Sequence, residues 1–141
     1  MTSTITIING PNLNLLGRRQ PEIYGRENLD QLAARLQTAY PDCELIFLQS
    51  NHEGQLVDWL QQAAGQTGII LNAAGLSYSS VAIRDAVEAI NTPVVEVHLS
   101  NIAAREPFRR QSLISAVCRG TITGLGGKGY LLALQYLMEL E

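Results

Sequence analysis

Two side chains that could exchange a proton with a substrate stand at the end of a short apolar run. Glu96 and His98 are two residues apart, and in a strand this spacing places both side chains on the same face. A carboxylate beside an imidazole orients the ring and favours its protonated form, which is typical of a general acid. A buried ion pair is the structural alternative. The segment 99–101 that follows offers backbone N–H groups able to hold a carboxylate, which favours the catalytic interpretation.

A second group of reactive side chains lies between Gly17 and Gly25. Glycine at both ends and a central proline are typical of a mobile flap, which we place at about residues 17–26. A tyrosine with an ordinary pKa of about 10 is a poor base at neutral pH, but a neighbouring guanidinium favours its phenolate. Tyr24 assisted by Arg19 is therefore a candidate base that would face the histidine across a substrate. The alternative is a solvated surface loop.

Two further charged residues could take part in binding. Arg109 could hold hydroxyls or a carboxylate with its fork of N–H donors, unless its segment is only a helix start with solvated charges. Asp85 lies in a helical pattern among apolar residues, including Val81 and Ala82, where an unpaired carboxylate is costly. We therefore expect an ionic partner for Asp85, such as an arginine across a subunit contact.

Two other motifs are interpreted as structural. Gly124, Gly126 and Gly129 have the spacing of a dinucleotide-binding loop, but only 12 residues follow them, too few for the rest of that unit. The segment around Ser77 resembles a turn that carries a nucleophilic serine, but its final glycine is missing, and a helix cap accounts for the serines. A serine hydrolase using Ser77 is the alternative enzyme, and a binding module without activity is the third possibility.

Composition excludes several classes of protein. The 141 residues carry a net charge of −3, which lacks the excess of positive charge typical of proteins that bind nucleic acid. Two cysteines and two histidines, each pair far apart in the chain, cannot form the usual zinc motifs, and a Schiff base would have to use Lys128, the one lysine. Free thiols, no signal peptide pattern and no long apolar run predict a cytoplasmic protein without a metal site.

Apolar runs and helical patterns alternate along the chain and must position these residues. The runs suit strands of a parallel sheet covered on both faces, at Thr4–Ile8, Glu44–Leu48, Gly68–Leu71, Val94–Val97 and Gly120–Thr123. The alternation predicts a single α/β domain over residues 1–141, a flavodoxin-like doubly wound five-stranded parallel sheet. Ligands of such sheets bind beyond the carboxyl ends of the strands, so the polar segments after the strands should meet there.

Five motifs in order along most of the chain resemble those of type II 3-dehydroquinate dehydratases. They are NGPNLNLLG (9–17) followed by Arg19 and Tyr24-Gly25, QSNHEG (49–54), SVAIRDA (80–86), EVHLSN with REPFR (96–109), and GLGGKGYLLAL. The resemblance implies a flavodoxin-like subunit that assembles as a dodecamer of trimers. It also implies that 3-dehydroquinate is converted to 3-dehydroshikimate and water by anti elimination through an enolate, without cofactor, metal or Schiff base. That reaction belongs to the shikimate pathway of aromatic amino-acid biosynthesis.

The same resemblance implies the catalytic roles of five residues. Tyr24 would remove a proton beside the ketone, and Arg19 would promote its phenolate. Asn12 would help to stabilise the enolate. His98 would protonate the departing hydroxyl while Glu96 orients the imidazole.

Substrate binding would involve a further set of residues. Asn72 and the backbone N–H groups of Leu99 and Ser100 would hold the hydroxyl and carboxylate end, and Arg109 would bind ring hydroxyls. Asp85 would reach across a trimer contact.

Tyr78 is the main departure from the family pattern. It stands where the family usually has a histidine that contacts substrate. A phenol can still form a hydrogen bond, but it is longer and far less basic than imidazole. We therefore expect the departure to affect substrate affinity more than the type of reaction.

Overall fold

The five apolar runs form the strands of one parallel sheet in a computed structural model that describes residues 2–140. The strands are β1 (Thr4–Asn9), β2 (Glu44–Gln49), β3 (Gly68–Asn72), β4 (Val94–His98) and β5 (Gly120–Thr123). Their order across the sheet is β2-β1-β3-β4-β5, which confirms the predicted doubly wound α/β fold. The first four strands each run one residue beyond the predicted end and finish on a polar residue.

The polar ends of the central strands lie side by side. Asn9 of β1 is in register with Gln49 of β2 on one side and with Asn72 of β3 on the other. Between β1 and β3 the order of the strands reverses, and a crevice opens at this point in sheets of this type. The sheet therefore brings its polar strand ends to the place where a ligand site is expected.

Helices cover both faces of the sheet because the side chains of each strand alternate between them. Ile7 packs with the helices on one face and Ile8 with those on the other. The helices are α1 (Pro21–Tyr24), α2 (Leu29–Ala39), α3 (Glu53–Gln62), α4 (Val81–Ala89) and α5 (Lys128–Glu139). The pair α2 and α5 packs on the Ile7 face, and the pair α3 and α4 on the Ile8 face. Within residues 2–140, no helix is long and apolar enough to cross a membrane.

Side-chain caps define where two of these helices begin. Asn28 accepts a hydrogen bond from the backbone N–H of Gln31, and the Gln31 side chain accepts one from the N–H of Asn28, which is a reciprocal capping box. Ser80 accepts from the N–H of Ile83 at the start of α4. The serines of this segment thus provide the predicted helix cap, and the capping residue is Ser80.

The predicted flap contains one unpredicted turn of helix, α1. Pro21 occupies its first position, where a missing N–H does no harm. Gly17 and Gly25 bound the segment with φ angles of +89° and +87°, a conformation that other residues rarely adopt. The glycines therefore set the entry and exit of the flap, while its mobility stays a prediction.

Replacing Gly10 with alanine is expected to destabilise the protein. A Cβ at Gly10 would lie 2.5 Å from the carbonyl oxygen of Ala73, and backbone cannot move aside as a flexible side chain can. Overpacking of this kind costs about 1–3 kcal/mol. Gly54→Ala is the matched control, because its Cβ would meet nothing within 4 Å and alanine favours a helix by about 0.5–1 kcal/mol. Denaturant unfolding should show opposite signs for the two variants; equal stability would contradict the close approach at Gly10.

Candidate active site

A pocket of about 110 Å³ opens at the carboxyl ends of β1, β3 and β4. The residues that line it come from the loops after these three strands and from the flap: Pro11, Asn12, Leu13, Arg19, Tyr24, Asn72, Ala74, Gly75, Tyr78, His98, Leu99, Ser100, Ile102, Arg105 and Arg109. Nine of the eleven sequence-predicted site residues are among them. The sheet topology thus gathers segments that are up to 98 residues apart in the chain, from Pro11 to Arg109.

His98 is held by a buried carboxylate. Its Nε2 lies 2.6 Å from Oε2 of Glu96, and the two side chains are 4% and 1% exposed. The two residues are separated by one residue along β4 and therefore face the same side of the sheet, as their spacing predicts. Because the imidazole is fixed by one ring nitrogen, its other edge has a defined orientation at the pocket wall.

Three hydroxyl groups complete the surroundings of Glu96. Ser112 donates to Oε2 at 2.6 Å, while Ser115 and Thr121 donate to Oε1. Burial pushes the pKa of Glu96 upward, but hydrogen bonds from His98, Ser112 and Ser115 outweigh burial and leave the pKa below its usual 4.5. Glu96 is therefore a carboxylate at neutral pH and places a negative charge beside the ring of His98.

Two arginines surround Tyr24, which projects from the end of α1. The guanidinium carbons of Arg19 and Arg105 lie 5.4 Å and 5.2 Å from the centroid of its ring. Nη1 of Arg105 also donates a 2.8 Å hydrogen bond to Oη of Tyr24. An arginine N–H at this distance stabilises negative charge on the phenol oxygen. Arg105 therefore contacts the oxygen of Tyr24, while Arg19 lies beside its ring as a second positive charge.

Arg105 is a pocket residue in contact with Tyr24 that sequence reasoning did not single out. It belongs to the same REPFR segment as Arg109, so the motif marked the region. Nothing in the spacing says which arginine of the segment faces a tyrosine 81 residues away. Only the fold brings the two side chains together.

Tyr78 lies between the imidazole and another arginine. Its ring stacks on His98 with centroids 6.2 Å apart, and the guanidinium of Arg109 lies 5.7 Å from its centroid. Burial raises the pKa of Tyr78 above 10, although the charge of Arg109 opposes that shift. The phenol therefore stays protonated and can donate a hydrogen bond in the pocket.

Asn12 is held in an unusual backbone conformation. Its φ of +72° lies in the left-handed region, which asparagine tolerates better than most residues. Oδ1 of Asn51 accepts a 2.9 Å hydrogen bond from the Asn12 N–H and also a hydrogen bond from Gln49. The QSNHEG segment thus acts from a neighbouring loop to orient Asn12 at the pocket.

The glycine-rich loop before α5 supports the wall of the pocket. The N–H groups of Gly124 and Gly126 donate to the carbonyls of His98 and Leu99, and both glycines have positive φ angles. These bonds confirm the interpretation of the loop as a structural turn. They fix the backbone from which Leu99 and Ser100 face the pocket.

One sequence-based expectation about burial is wrong: Asp85 is not enclosed by apolar side chains but exposed on α4, and it forms no ion pair within residues 2–140. The helix packs through Ile83, Ala86 and Val87, whereas Asp85 lies one turn after Val81, which is 58% exposed. A partner for Asp85 across a subunit contact stays a prediction. Ser77 is fully buried, does not line the pocket and has no hydrogen-bond partner for its hydroxyl in the described chain. A nucleophilic role for Ser77 is therefore excluded.

Over the described chain, no group of three or more histidine, cysteine, aspartate or glutamate side chains is placed to hold a metal ion. The polar groups of the pocket are instead amides, hydroxyls, guanidinium groups and one imidazole. Such groups can bind a hydroxylated carboxylate and move its protons.

Comparisons with known proteins point to one family. The model of the class II dehydroquinase family matches residues 3–138. A 3-dehydroquinate dehydratase from Exiguobacterium sp. is 55% identical over 96% of this chain and 94% of the relative. Crystal structures of type II dehydroquinases from Butyrivibrio crossotus and Propionibacterium acnes superpose with TM-scores of 0.94 and 0.93 and identities of 41% and 44%. They cover 97% and 99% of this chain, and 98% of each of those chains is matched.

Glu96→Gln is expected to lower stability in a pH-dependent way. The folded-state pKa of Glu96 is depressed, so its contribution is present above the unfolded value near 4.5 and is lost as the pH falls through the folded value. At pH 7 the variant should lose about 1–3 kcal/mol, and the difference from the parent should shrink below pH 4.5. Denaturant unfolding from pH 7 to pH 3 measures this, with exposed Glu88→Gln as a control that changes little. A difference that stays constant with pH would contradict a buried carboxylate.

Proposed function

The chain belongs to the class II dehydroquinase family and is a 3-dehydroquinate dehydratase, a lyase of the shikimate pathway; we propose that it acts by anti elimination through an enolate, with Tyr24 as base and His98 as acid. One observation carries this proposal. The phenol oxygen of Tyr24 is hydrogen-bonded to a guanidinium, and the imidazole of His98 is paired with a buried carboxylate, in the walls of one pocket. An elimination needs a base and an acid within one pocket. Here a positive charge lies beside the candidate base, and a negative charge lies beside the candidate acid.

The base is supported by the electrostatics of the flap. Arg105 donates to the oxygen of Tyr24, and Arg19 places a second positive charge beside the ring. Both interactions place positive charge beside the group that would act as base, and closure of the flap over a substrate would strengthen them by excluding water. Tyr24 would then take the proton from the carbon beside the ketone, giving an enolate.

The acid is supported from inside the protein. Glu96 stays ionised in its shell of hydroxyls and holds the imidazole of His98 by a 2.6 Å contact with Nε2. His98 would give its proton to the departing hydroxyl, which leaves as water as the carbon–carbon double bond of 3-dehydroshikimate forms. Glu96 would then keep the neutral imidazole of His98 in its orientation until the ring takes up another proton.

The other pocket residues would hold the substrate for this transfer. Asn12, fixed by Asn51, would stabilise the enolate oxygen. Asn72 and the backbone N–H groups of Leu99 and Ser100 would bind the carboxylate and hydroxyl end, which suits their place on the His98 side of the pocket.

Arg109 and Tyr78 would bind ring hydroxyls. The two side chains lie together in the pocket wall, and Arg109 is positioned by an ion pair with Glu106, whose Oε2 is 2.9 Å from its Nε. The protonated phenol of Tyr78 would donate where an imidazole could either donate or accept.

We also propose a dodecamer of trimers in the cytoplasm. Asp85 is exposed one helical turn after the exposed apolar Val81, and such a surface suits a subunit contact across which Asp85 would reach a neighbouring pocket. The cytoplasmic location is supported by membership in a family of biosynthetic enzymes.

Ultraviolet absorbance of the conjugated enone product provides the test of the function. The protein mixed with 3-dehydroquinate should give a steady rise in absorbance, and no signal at high enzyme concentration would overturn the lyase assignment.

Tyr24→Phe should lower kcat at least about 100-fold, the usual loss for a positioned base. Tyr136→Phe, a half-exposed tyrosine outside the pocket, is the matched control and should leave kcat unchanged. Near-normal turnover of Tyr24→Phe would remove Tyr24 from the base role.

Arg105→Met should lower kcat by about 10- to 100-fold, because it removes a charged hydrogen bond to the phenol oxygen. Arg18→Met is the control, since Arg18 lies in the same flap but does not line the pocket. Its kcat should stay within about twofold of the parent, a range typical of the loss of an exposed charge. Equal losses in the two variants would mean that the contact of Arg105 with Tyr24 has no catalytic value.

A further inference from the structure

The hydroxyl of Tyr130 lies inside the protein between two strand ends. Tyr130 is the third residue of α5 and its side chain is fully buried. Its Oη donates a 2.6 Å hydrogen bond to Oδ1 of Asn9, the last residue of β1. It also accepts a 2.9 Å hydrogen bond from Nδ2 of Asn72, the last residue of β3. One phenol thus ties together the ends of the two strands that flank the crevice of the sheet.

The remaining hydrogen bonds define which way each amide points. Nδ2 of Asn9 donates to the carbonyl of Leu48, so Oδ1 of Asn9 must face the phenol. Oδ1 of Asn72 accepts from the N–H of Ala74, so its Nδ2 must face the phenol. The hydroxyl therefore donates on one side and accepts on the other, and neither amide can turn over without breaking two bonds.

This arrangement leaves one group of Asn72 for the pocket. An asparagine amide has two N–H groups, and Tyr130 takes one of them. Within residues 2–140 no acceptor takes the second, while Asn72 itself lines the pocket. The direction of that second N–H is set by the bond to Tyr130, because the amide is planar.

We propose that Tyr130 is a positioning residue of the enzyme, which holds the Asn72 amide in the orientation that binds substrate. It does not touch the substrate and lies behind the pocket. The proposal rests on the substrate-binding role of Asn72 stated above and deepens it. The hydroxyl of Tyr130 thus connects helix α5 to Asn72 in the pocket wall.

The surroundings of Tyr130 suit this role. Its ring packs against Phe47 with centroids 6.5 Å apart, so the hydroxyl has a fixed position. Burial raises the pKa of Tyr130, and the phenol therefore keeps its proton at neutral pH. Serine or threonine at the same place on α5 would be too short to reach both strand ends.

Tyr130→Phe tests the proposal because it removes one oxygen and keeps the ring. Asn72 then loses the acceptor that orients it, and KM for 3-dehydroquinate should rise about three- to tenfold, the range of one hydrogen bond. The value of kcat should change less than about threefold, since Tyr24 and His98 are untouched. Ile5→Val in the same hydrophobic core removes a methyl group at the far end of β1. It serves as the control for a loss of stability, and its KM should not change.

A double-mutant cycle separates positioning from a general structural effect. Tyr130→Phe made in an Asn72→Ala background should change KM less than about twofold, because the group that it orients is gone. An equal rise of KM in both backgrounds, or no rise in Tyr130→Phe alone, overturns the proposal. If Asn72→Ala itself leaves KM unchanged, the proposed binding role of Asn72 fails, and the inference about Tyr130 fails with it.

Should Tyr130→Phe yield no folded protein, Asn9→Ala replaces it in the same cycle. This variant keeps the phenol but removes the acceptor that orients its hydroxyl. KM should then rise about two- to threefold, and the rise should disappear in the Asn72→Ala background. An unchanged KM in Asn9→Ala overturns the proposal.

Discussion

Polar side chains buried at the ends of parallel strands constrain this structure more than any other feature. Asn9, Asn72, Glu96 and His98 lie at or near the carboxyl ends of β1, β3 and β4, and none is more than 4% exposed. A strand covered on both faces cannot turn such groups to water, and an unpartnered buried polar group costs about 1–3 kcal/mol. Many of their partners come from residues 112–130, which supply three hydroxyls for the carboxylate and one phenol for the amides. The polar wall of the pocket therefore depends on the packing of the C-terminal part of the chain.

This constraint explains how well the sheet could be predicted from the sequence. Apolar runs separated by helical patterns identified all five strands and their parallel arrangement, since the near-continuous apolar runs of the central strands are typical of parallel strands covered on both faces. The error at the strand ends has a physical cause. Asn72 and His98 interrupt the apolar pattern, but they remain in the ladder because Tyr130, far along the chain, and Glu96, on the same strand, satisfy their side chains. The polar residues that end the apolar runs made the predicted strands one residue too short. The same polar residues correctly indicated where the pocket lies.

The pairing of side chains within the site could be predicted only in part. Glu96 and His98 are neighbours on one strand face, so spacing alone paired them. Arg105 and Tyr24 are separated by 81 residues, and Tyr130 and Asn9 by 121, and no local pattern carries information about such contacts. The helical pattern around Asp85 was misleading for a related reason: apolar neighbours in sequence do not show whether a second element covers them.

The proposed acid and base differ in how the protein holds them. His98 sits on a buried strand, and its partner Glu96 is fixed by hydroxyls from two other segments, so its geometry is set when the chain folds. Tyr24 ends a single helical turn between two glycines with positive φ, and its main polar contact is Arg105 from the loop after β4. That contact joins the flap to the loop that follows the acid. A substrate between the two side chains would therefore meet an acid, His98, that is already in place. The base, Tyr24, would be in place only when the flap brings it into contact with Arg105.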